Sequence, residues 1–293
     1  MRWQTTRFLI DLSAPQVMGI VNVTPDSFSD GGQHASQTAA MAWCDQLVKD
    51  GANILDIGGE STRPGAPPVP LGEELARVVP IIRHAVTLGV PVSVDTYKPA
   101  VMQAALDLGA DILNDVWALR WAGSQDSRTG MDVVRAHPNC GMCLMHMHRD
   151  PQTMQTAPMQ GDAVPQVLSF LEQCGQELTG LGVDQARICI DPGIGFGKTV
   201  AQNFALLARQ PELIALGYPV LAGWSRKSSL TAVTQRSLAD VATLDARERL
   251  VPSVTAALLA VQQGAHIVRV HDVKETIQAL KVWAALQQQK ATA

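Results

Sequence analysis

Short apolar runs recur along the chain at residues 17–21, 53–57, 91–94, 110–113, 141–145, 187–190, 219–222 and 265–270. They lack the alternation of a half-exposed strand, as parallel strands covered on both faces do. Between them, apolar residues are spaced by three and four. Ala40, Trp43, Cys44 and Leu47 form one such stripe, closed by Gly51, and Leu75, Val78, Val79, Ile82 and Val86 form another, ending at Gly89. Val101, Ala105 and Leu108 follow Pro99 and stop at Gly109, while Val254, Ala257, Leu258 and Val261 lie between Pro252 and Gly264. Proline near the start and glycine just past the end are helix punctuation. Parallel strands need crossover helices, so this alternation predicts an α/β fold. An open doubly wound sheet would give the same pattern. Eight units without a composition shift favour a single-domain (β/α)8 barrel, a TIM barrel, over residues 1–293 with its core at about 15–288.

The Gly/Pro/Ser-rich stretches 24–32, 58–70, 120–130 and 149–161 follow predicted strands and read as long loops on one face. In a parallel barrel every strand ends at the same rim, where barrel enzymes keep their chemistry. Here the strand ends carry Asn22, Glu60 (after Asp56), Asp95, Asn114 with Asp115, His146, Asp191, Ser225-Arg226-Lys227, and Arg269 with His271. Any one of these acids or amides could be only a helix cap. As a set they predict a rim site. Carboxylates from Asp95, Asp191 and either Asp56 or Glu60, with two amides, would accept hydrogen bonds from a flat heterocycle. Arg63, Lys227, Arg269 and His271 form a cationic set that could clamp phosphate. The expected substrate is therefore a hydrogen-bonding ring with an anionic tail.

Composition narrows the setting. With 23 Lys+Arg against 27 Asp+Glu, the net charge is −4 and no basic block suggests a nucleic-acid partner or a polybasic membrane patch. Hydrophobic residues make up 46% of the chain, enough for a packed core, yet no apolar run approaches the ~20 residues that span a bilayer. The N-terminus lacks the apolar segment of a signal peptide. Five dispersed cysteines are no disulfide framework, so a cytoplasmic, reducing setting is expected. Cys140 and Cys143 would point to opposite faces of a strand, and His146 and His148 have no third metal ligand in view. Met142, Met145 and Met147 read as core and pocket lining. The stretch from Asp191 to Lys198 fits neither the P-loop nor the dinucleotide pattern and reads as a sharp turn, with Asp191 and Phe196 kept as candidates.

Two stretches, Gly19-Ile-Val-Asn-Val-Thr-Pro-Asp-Ser-Phe-Ser-Asp-Gly-Gly32 and Asp56-Ile-Gly-Gly-Glu-Ser-Thr-Arg-Pro-Gly65, resemble the signature loops of the dihydropteroate synthase family. The likeness continues through Ser93-Val-Asp-Thr96, Leu113-Asn-Asp115, Leu144-Met-His-Met147, Asp191-Pro-Gly-Ile-Gly-Phe-Gly-Lys198, Ser225-Arg-Lys-Ser228 and Arg269-Val-His-Asp272. It implies a (β/α)8 barrel that joins a 6-hydroxymethyl-7,8-dihydropterin diphosphate to 4-aminobenzoate, releasing diphosphate. By that resemblance Asp95, Asn114, Asp191 and Lys227 hold the pterin, and Asn22 ligates Mg²⁺ on the diphosphate. Thr62, Arg63, Arg269 and His271 meet the phosphates, while Phe28, Pro64, Phe196, Lys227 and Ser228 form the aminobenzoate slot. Met145 and Val270 are further substrate contacts, and Asp95, Lys227, Arg269 and His271 are the residues implied for catalysis. A homodimer and sulfonamide sensitivity are implied as well. Tyr97, Trp117 and His148 depart from the family's usual residues, all at the rim.

The reaction so implied needs no protein nucleophile. Loss of diphosphate before attack by the aniline nitrogen is the expected order, with Asp95 stabilising the cation. A methyltransferase on the same barrel would leave the Ser-Thr-Arg-Pro-Gly loop and the cationic set unexplained. A Schiff-base aldolase built on Lys227 is a second alternative, and a non-catalytic pterin-binding paralogue is a third.

Overall fold

The computed structural model describes residues 1–24, 32–63, 65–122, 128–234 and 246–292. Phe28 and Pro64, both expected in the aminobenzoate slot, lie outside the described residues. The chain opens with an antiparallel hairpin, β1 (Arg2–Gln4) and β2 (Leu9–Asp11). Then come β3 (Gln16–Asn22), α1 (Gly32–Lys49), β4 (Ile54–Gly58), α2 (Leu71–Ala85), β5 (Val92–Asp95), α3 (Pro99–Asp107) and β6 (Ile112–Asp115). Next are α4 (Gly130–Ala136), β7 (Gly141–Met145), α5 (Ala163–Gly180), β8 (Ile188–Asp191), α6 (Val200–Ala208) and α7 (Gln210–Ile214). The chain finishes with β9 (Leu221–Ala222), α8 (Ser228–Thr234), α9 (Leu250–Gln262), β10 (Ile267–Val270) and α10 (Val273–Thr292).

Each of the eight expected strands is present, and all pair in parallel in the order β8-β7-β6-β5-β4-β3-β10-β9. A bridge between Ile190 and Val220 joins the two ends, so the sheet closes on itself as a barrel rather than lying open. Alternation along the strands then divides the core into two. Outward residues such as Val17, Leu55, Val92, Leu113, Leu144 and Val268 pack under the helices. Inward residues Met18, Ile54, Ile112, Cys143, Cys189, Leu221 and Ile267 meet one another at the barrel's lower end. Cys140 and Cys143 fall into the outer and inner clusters respectively, as their odd spacing requires.

The N-terminal hairpin was not foreseen. Its strands are three residues each and carry no Asn-Gly type turn signal. It closes the bottom of the barrel with Trp3, Ile10 and Leu12, and the Trp3 indole N–H donates to the Arg187 carbonyl at 2.9 Å. Helix α2 contains Pro80, which frees the Ala76 carbonyl; the Gln37 side chain from α1 donates to it at 3.2 Å. Trp43, expected in the buried stripe of α1, is 36% exposed, with its indole N–H donating to the Ile20 carbonyl at 3.1 Å.

Trp3 is fully buried. Trp3→Ala should therefore lower stability by about 3–5 kcal/mol in urea unfolding; a loss below about 1 kcal/mol would show that the hairpin is not part of the core.

Candidate active site

Two residues above the apolar floor, the same inward positions become polar: Ile54 is followed by Asp56, Ile112 by Asn114, Cys189 by Asp191 and Ile267 by Arg269. Arg269 spans the barrel. Its Nε donates to Asp56 Oδ2 at 2.5 Å and its Nη2 to Asp95 Oδ2 at 2.6 Å. Asn114 Nδ2 lies 3.3 and 3.4 Å from the two Asp56 oxygens. Asp56 is wholly buried. It is thus the inner carboxylate that the sequence left open between Asp56 and Glu60.

Across the mouth, Asp191 Oδ1 accepts the Gly193 N–H at 2.7 Å. Lys227 Nζ sits 4.3 Å from the centre of the Phe196 ring, and Asp191 attracts its charge. Phe196 packs with Met145, Met147, Met154 and Val116, an apolar wall beside the charged socket. Ser228 is exposed at the first residue of α8. Asn22 is half-buried at the end of β3, and its side-chain amide makes no hydrogen bond among the described residues.

Glu60 belongs elsewhere. Its carboxylate accepts the Tyr97 hydroxyl at 2.7 Å and the Val69 N–H at 3.1 Å, and pairs with Lys98. Lys98 Nζ also donates to the Val69 carbonyl at 2.8 Å and to Glu74 Oε2 at 2.5 Å. Both ends of the loop bearing Thr62 and Arg63 are thereby tied to the chain after β5. Tyr97, one of the rim departures, is part of that neck. With Trp117, Trp121, Pro68 and Pro151 it borders a cavity of about 170 Å³ under the loop. Arg63 itself is exposed and joins no ion pair among the described residues.

Several other strand-end residues serve the scaffold. Asp115 accepts the N–H groups of Trp117 at 2.8 Å and Leu119 at 2.7 Å, folding the turn after β6. Arg226 pairs with Asp272 at 2.8 Å. His146 is buried against Lys198 and lies edge-on to Phe170. Val270, expected as a substrate contact, packs its side chain in the outer cluster beneath the helices, because it is one residue out of phase with Arg269 and His271.

The charges correct one further expectation. Burial and the neighbouring Arg226, Arg269, Arg63 and Lys227 push His271 well below the usual imidazole range, so it is neutral rather than cationic. Its backbone N–H donates to Ser225 Oγ at 3.2 Å, and that hydroxyl shares a second hydrogen bond with Nδ1 at 3.0 Å. In the tautomer in which the hydroxyl donates, Nε2 carries the proton and is a donor. Burial lifts Asp95 to about 7 despite Arg269, with Asp56, Asp115 and Glu74 adding to the rise. Burial lowers Lys227 to about 8, with Asp191 opposing and Arg269 adding to the fall.

A family model described as "Pterin binding enzyme" matches residues 18–271. The dihydropteroate synthase of Neisseria meningitidis serogroup B is 47% identical over 289 residues, covering 97% of each chain. Among solved structures, Xanthomonas albilineans dihydropteroate synthase with 4-aminobenzoic acid is 47% identical with a TM-score of 0.87, covering 98% of both chains. The Burkholderia cenocepacia enzyme complexed with 7,8-dihydropteroate is 46% identical with a TM-score of 0.86, covering 100% of this chain and 98% of that one.

The charge imbalance at Arg269 predicts a stability effect. A carboxyl whose pKa is raised by folding costs stability once pH exceeds its unfolded value, and the full cost is present above the folded value. Asp95→Asn should therefore raise the melting temperature at pH 8 by a few degrees and leave it unchanged near pH 4. An equal or lower melting temperature at pH 8 would mean that Arg269 fully compensates Asp95.

Proposed function

The chain belongs to the pterin-binding enzyme family, and on that premise we propose that it acts as a dihydropteroate synthase. It condenses (7,8-dihydropterin-6-yl)methyl diphosphate with 4-aminobenzoate, giving 7,8-dihydropteroate and diphosphate. The relatives' names and the dihydropteroate and 4-aminobenzoic acid complexes support the reaction. The observation that carries it to this chain is the socket itself: Asp56, Asp95, Asn114 and Arg269 joined across the barrel mouth, with Asp191 and Lys227 nearby.

In this reading the dihydropterin's amino and ring N–H groups donate to Asp95, Asp191 and the Asn114 carbonyl oxygen. Lys227 donates to a ring acceptor, and Met145 lines the ring's apolar side. Arg269 uses Nε and Nη2 within the socket and keeps Nη1 for the ligand. Thr62 and Arg63 come down from the second loop, and His271 offers Nε2–H, so the diphosphate meets charge and neutral donors together. Phe196, Lys227 and Ser228 border the 4-aminobenzoate slot.

Mg²⁺ is the metal expected at the diphosphate. Asn22 fits it, being an oxygen donor at the mouth without a competing partner, and Mg²⁺ takes few protein ligands when phosphates supply the rest. Bound there, it would neutralise charge on the departing diphosphate. The carbon–oxygen bond to diphosphate breaks first, its electron pair leaving with the phosphate. Asp95 stabilises the positive charge left on the methylene and ring. The aniline nitrogen then forms the carbon–nitrogen bond, and its proton passes to the released diphosphate or to solvent. Exclusion of water during this interval falls to the loops after β3 and β4, the first of which lies largely outside the described residues.

A reducing, cytoplasmic setting agrees with five buried free cysteines. Among the described residues no helix is long and apolar enough to cross a membrane. A homodimer would cover Val251 and Leu259 on α9 and Val282 and Leu286 on α10, all exposed.

The deciding assay follows diphosphate release together with dihydropteroate formation. Equal amounts of both, requiring both substrates, are expected; no product with both present sinks the reading. Asp191→Ala should weaken pterin binding by at least about tenfold, since a hydrogen bond to a charged group is worth ~1.5–3 kcal/mol. Unaltered pterin affinity would remove Asp191 from the site.

A further inference from the structure

Lys198 ends the turn that begins at Asp191, and no role above uses it. Its side chain is buried, only 3% exposed, and among the described residues it joins no ion pair. Nζ donates instead to the carbonyls of Gly193 at 2.9 Å, Phe196 at 3.2 Å and His146 at 3.3 Å, and faces His146 Nδ1 at 2.9 Å. Three N–H donors thus serve four acceptors. His146 is suited to this place, because burial and the nearby Lys198 hold it neutral and leave a ring nitrogen free to accept.

The contacts join the turn to the segment that follows β7. Nothing bulkier than glycine fits where the two backbones meet. A Cβ on Gly193 would stand 1.9 Å from the His146 carbonyl oxygen, and one on Gly197 would stand 2.7 Å from His148 Cβ. Carbonyl dipoles converge at that contact, and the Lys198 amine offsets them most when protonated; burial lowers it to about 7, with Asp191 opposing. On the other flank of the turn, the Gly195 N–H donates to Asn203 Oδ1 at 2.9 Å, and Asn203 donates to Ser229 Oγ at 2.8 Å. Phe196 lies between these two anchors, under Lys227.

We propose that Lys198 is a positioning residue that pins the 191–198 turn to the segment after β7 and so fixes Phe196, the wall of the aromatic-amine slot. It touches no substrate. The inference rests on the proposed reading for the identity of that slot. The pterin end depends on Lys198 less directly: Nζ meets Gly193 through its carbonyl, whereas Asp191 is held in β8 and accepts the Gly193 N–H.

The test compares wild type with Lys198→Met, which keeps the chain length and removes the donors, and with His146→Leu, which removes one acceptor. Both KM values and amide exchange at Gly195 and Phe196 are measured. For Lys198→Met, KM for 4-aminobenzoate should rise about tenfold while KM for the pterin diphosphate changes less than about threefold. Exchange at both amides should quicken, and His146→Leu should move each quantity the same way by less. Equal rises in both KM values, or quicker exchange with neither KM moved, would overturn the positioning role. If Lys198→Met does not fold, His146→Leu decides: a selective rise supports the proposal and no rise defeats it. A wild type without coupled turnover would refute the proposed reaction, while unaltered exchange in the variants would refute the pinning itself.

Discussion

Arg269 reaches across the barrel from β10 to Asp56 on β4 and Asp95 on β5, so one half-buried cation answers two carboxylates. The guanidinium fork suits this, because two of its nitrogens can each meet a different acid while the third stays free. The arrangement is stable enough to keep the socket open but leaves negative charge uncompensated in the ligand-free protein. Asp95, lifted toward neutrality by burial, is where that excess is felt. A ligand bearing N–H donors supplies what the protein withholds. Binding and folding therefore pull in opposite directions at this point, as is usual where a site is preorganised for charge.

Such a site needs a rigid base. The floor of Met18, Ile54, Ile112, Cys143, Cys189, Leu221 and Ile267, sealed by Trp3, keeps water from the barrel's lower end. The rim has its own supports. Glu60 and Lys98 close the neck of the second loop, and Lys198 binds the turn after β8 to its neighbour. In both places a buried charge satisfies backbone groups rather than substrate.

Much of this was legible in the sequence. Strands buried on both faces announce themselves as unbroken apolar runs, and their spacing set the barrel. The inner face was within reach too. Counting by two from Ile54 or Ile267 selects Asp56 and Arg269 for the inner face and places the Val270 side chain on the outer one. Other features were not readable, since they depend on partners far apart in the chain. Glu60 is a loop anchor because Lys98 and Tyr97 come to it from the next strand's end. The neutrality of His271 follows from burial and from four cations gathered from three separate segments. The hairpin at the start is too short to carry a pattern of its own.

The period of two also explains why ring and tail of the substrate are expected at different depths. A strand advances about 3.3 Å per residue, so successive inward positions lie roughly 6.6 Å apart along it. The floor is apolar, the next level holds Asp56, Asp95, Asn114, Asp191 and Arg269, and the level above holds Asn22, Ser225 and His271. One step upward the carboxylates give way to neutral polar groups. A molecule with N–H groups at one end and phosphates at the other satisfies both levels only when its ring points down. Orientation then follows from strand periodicity.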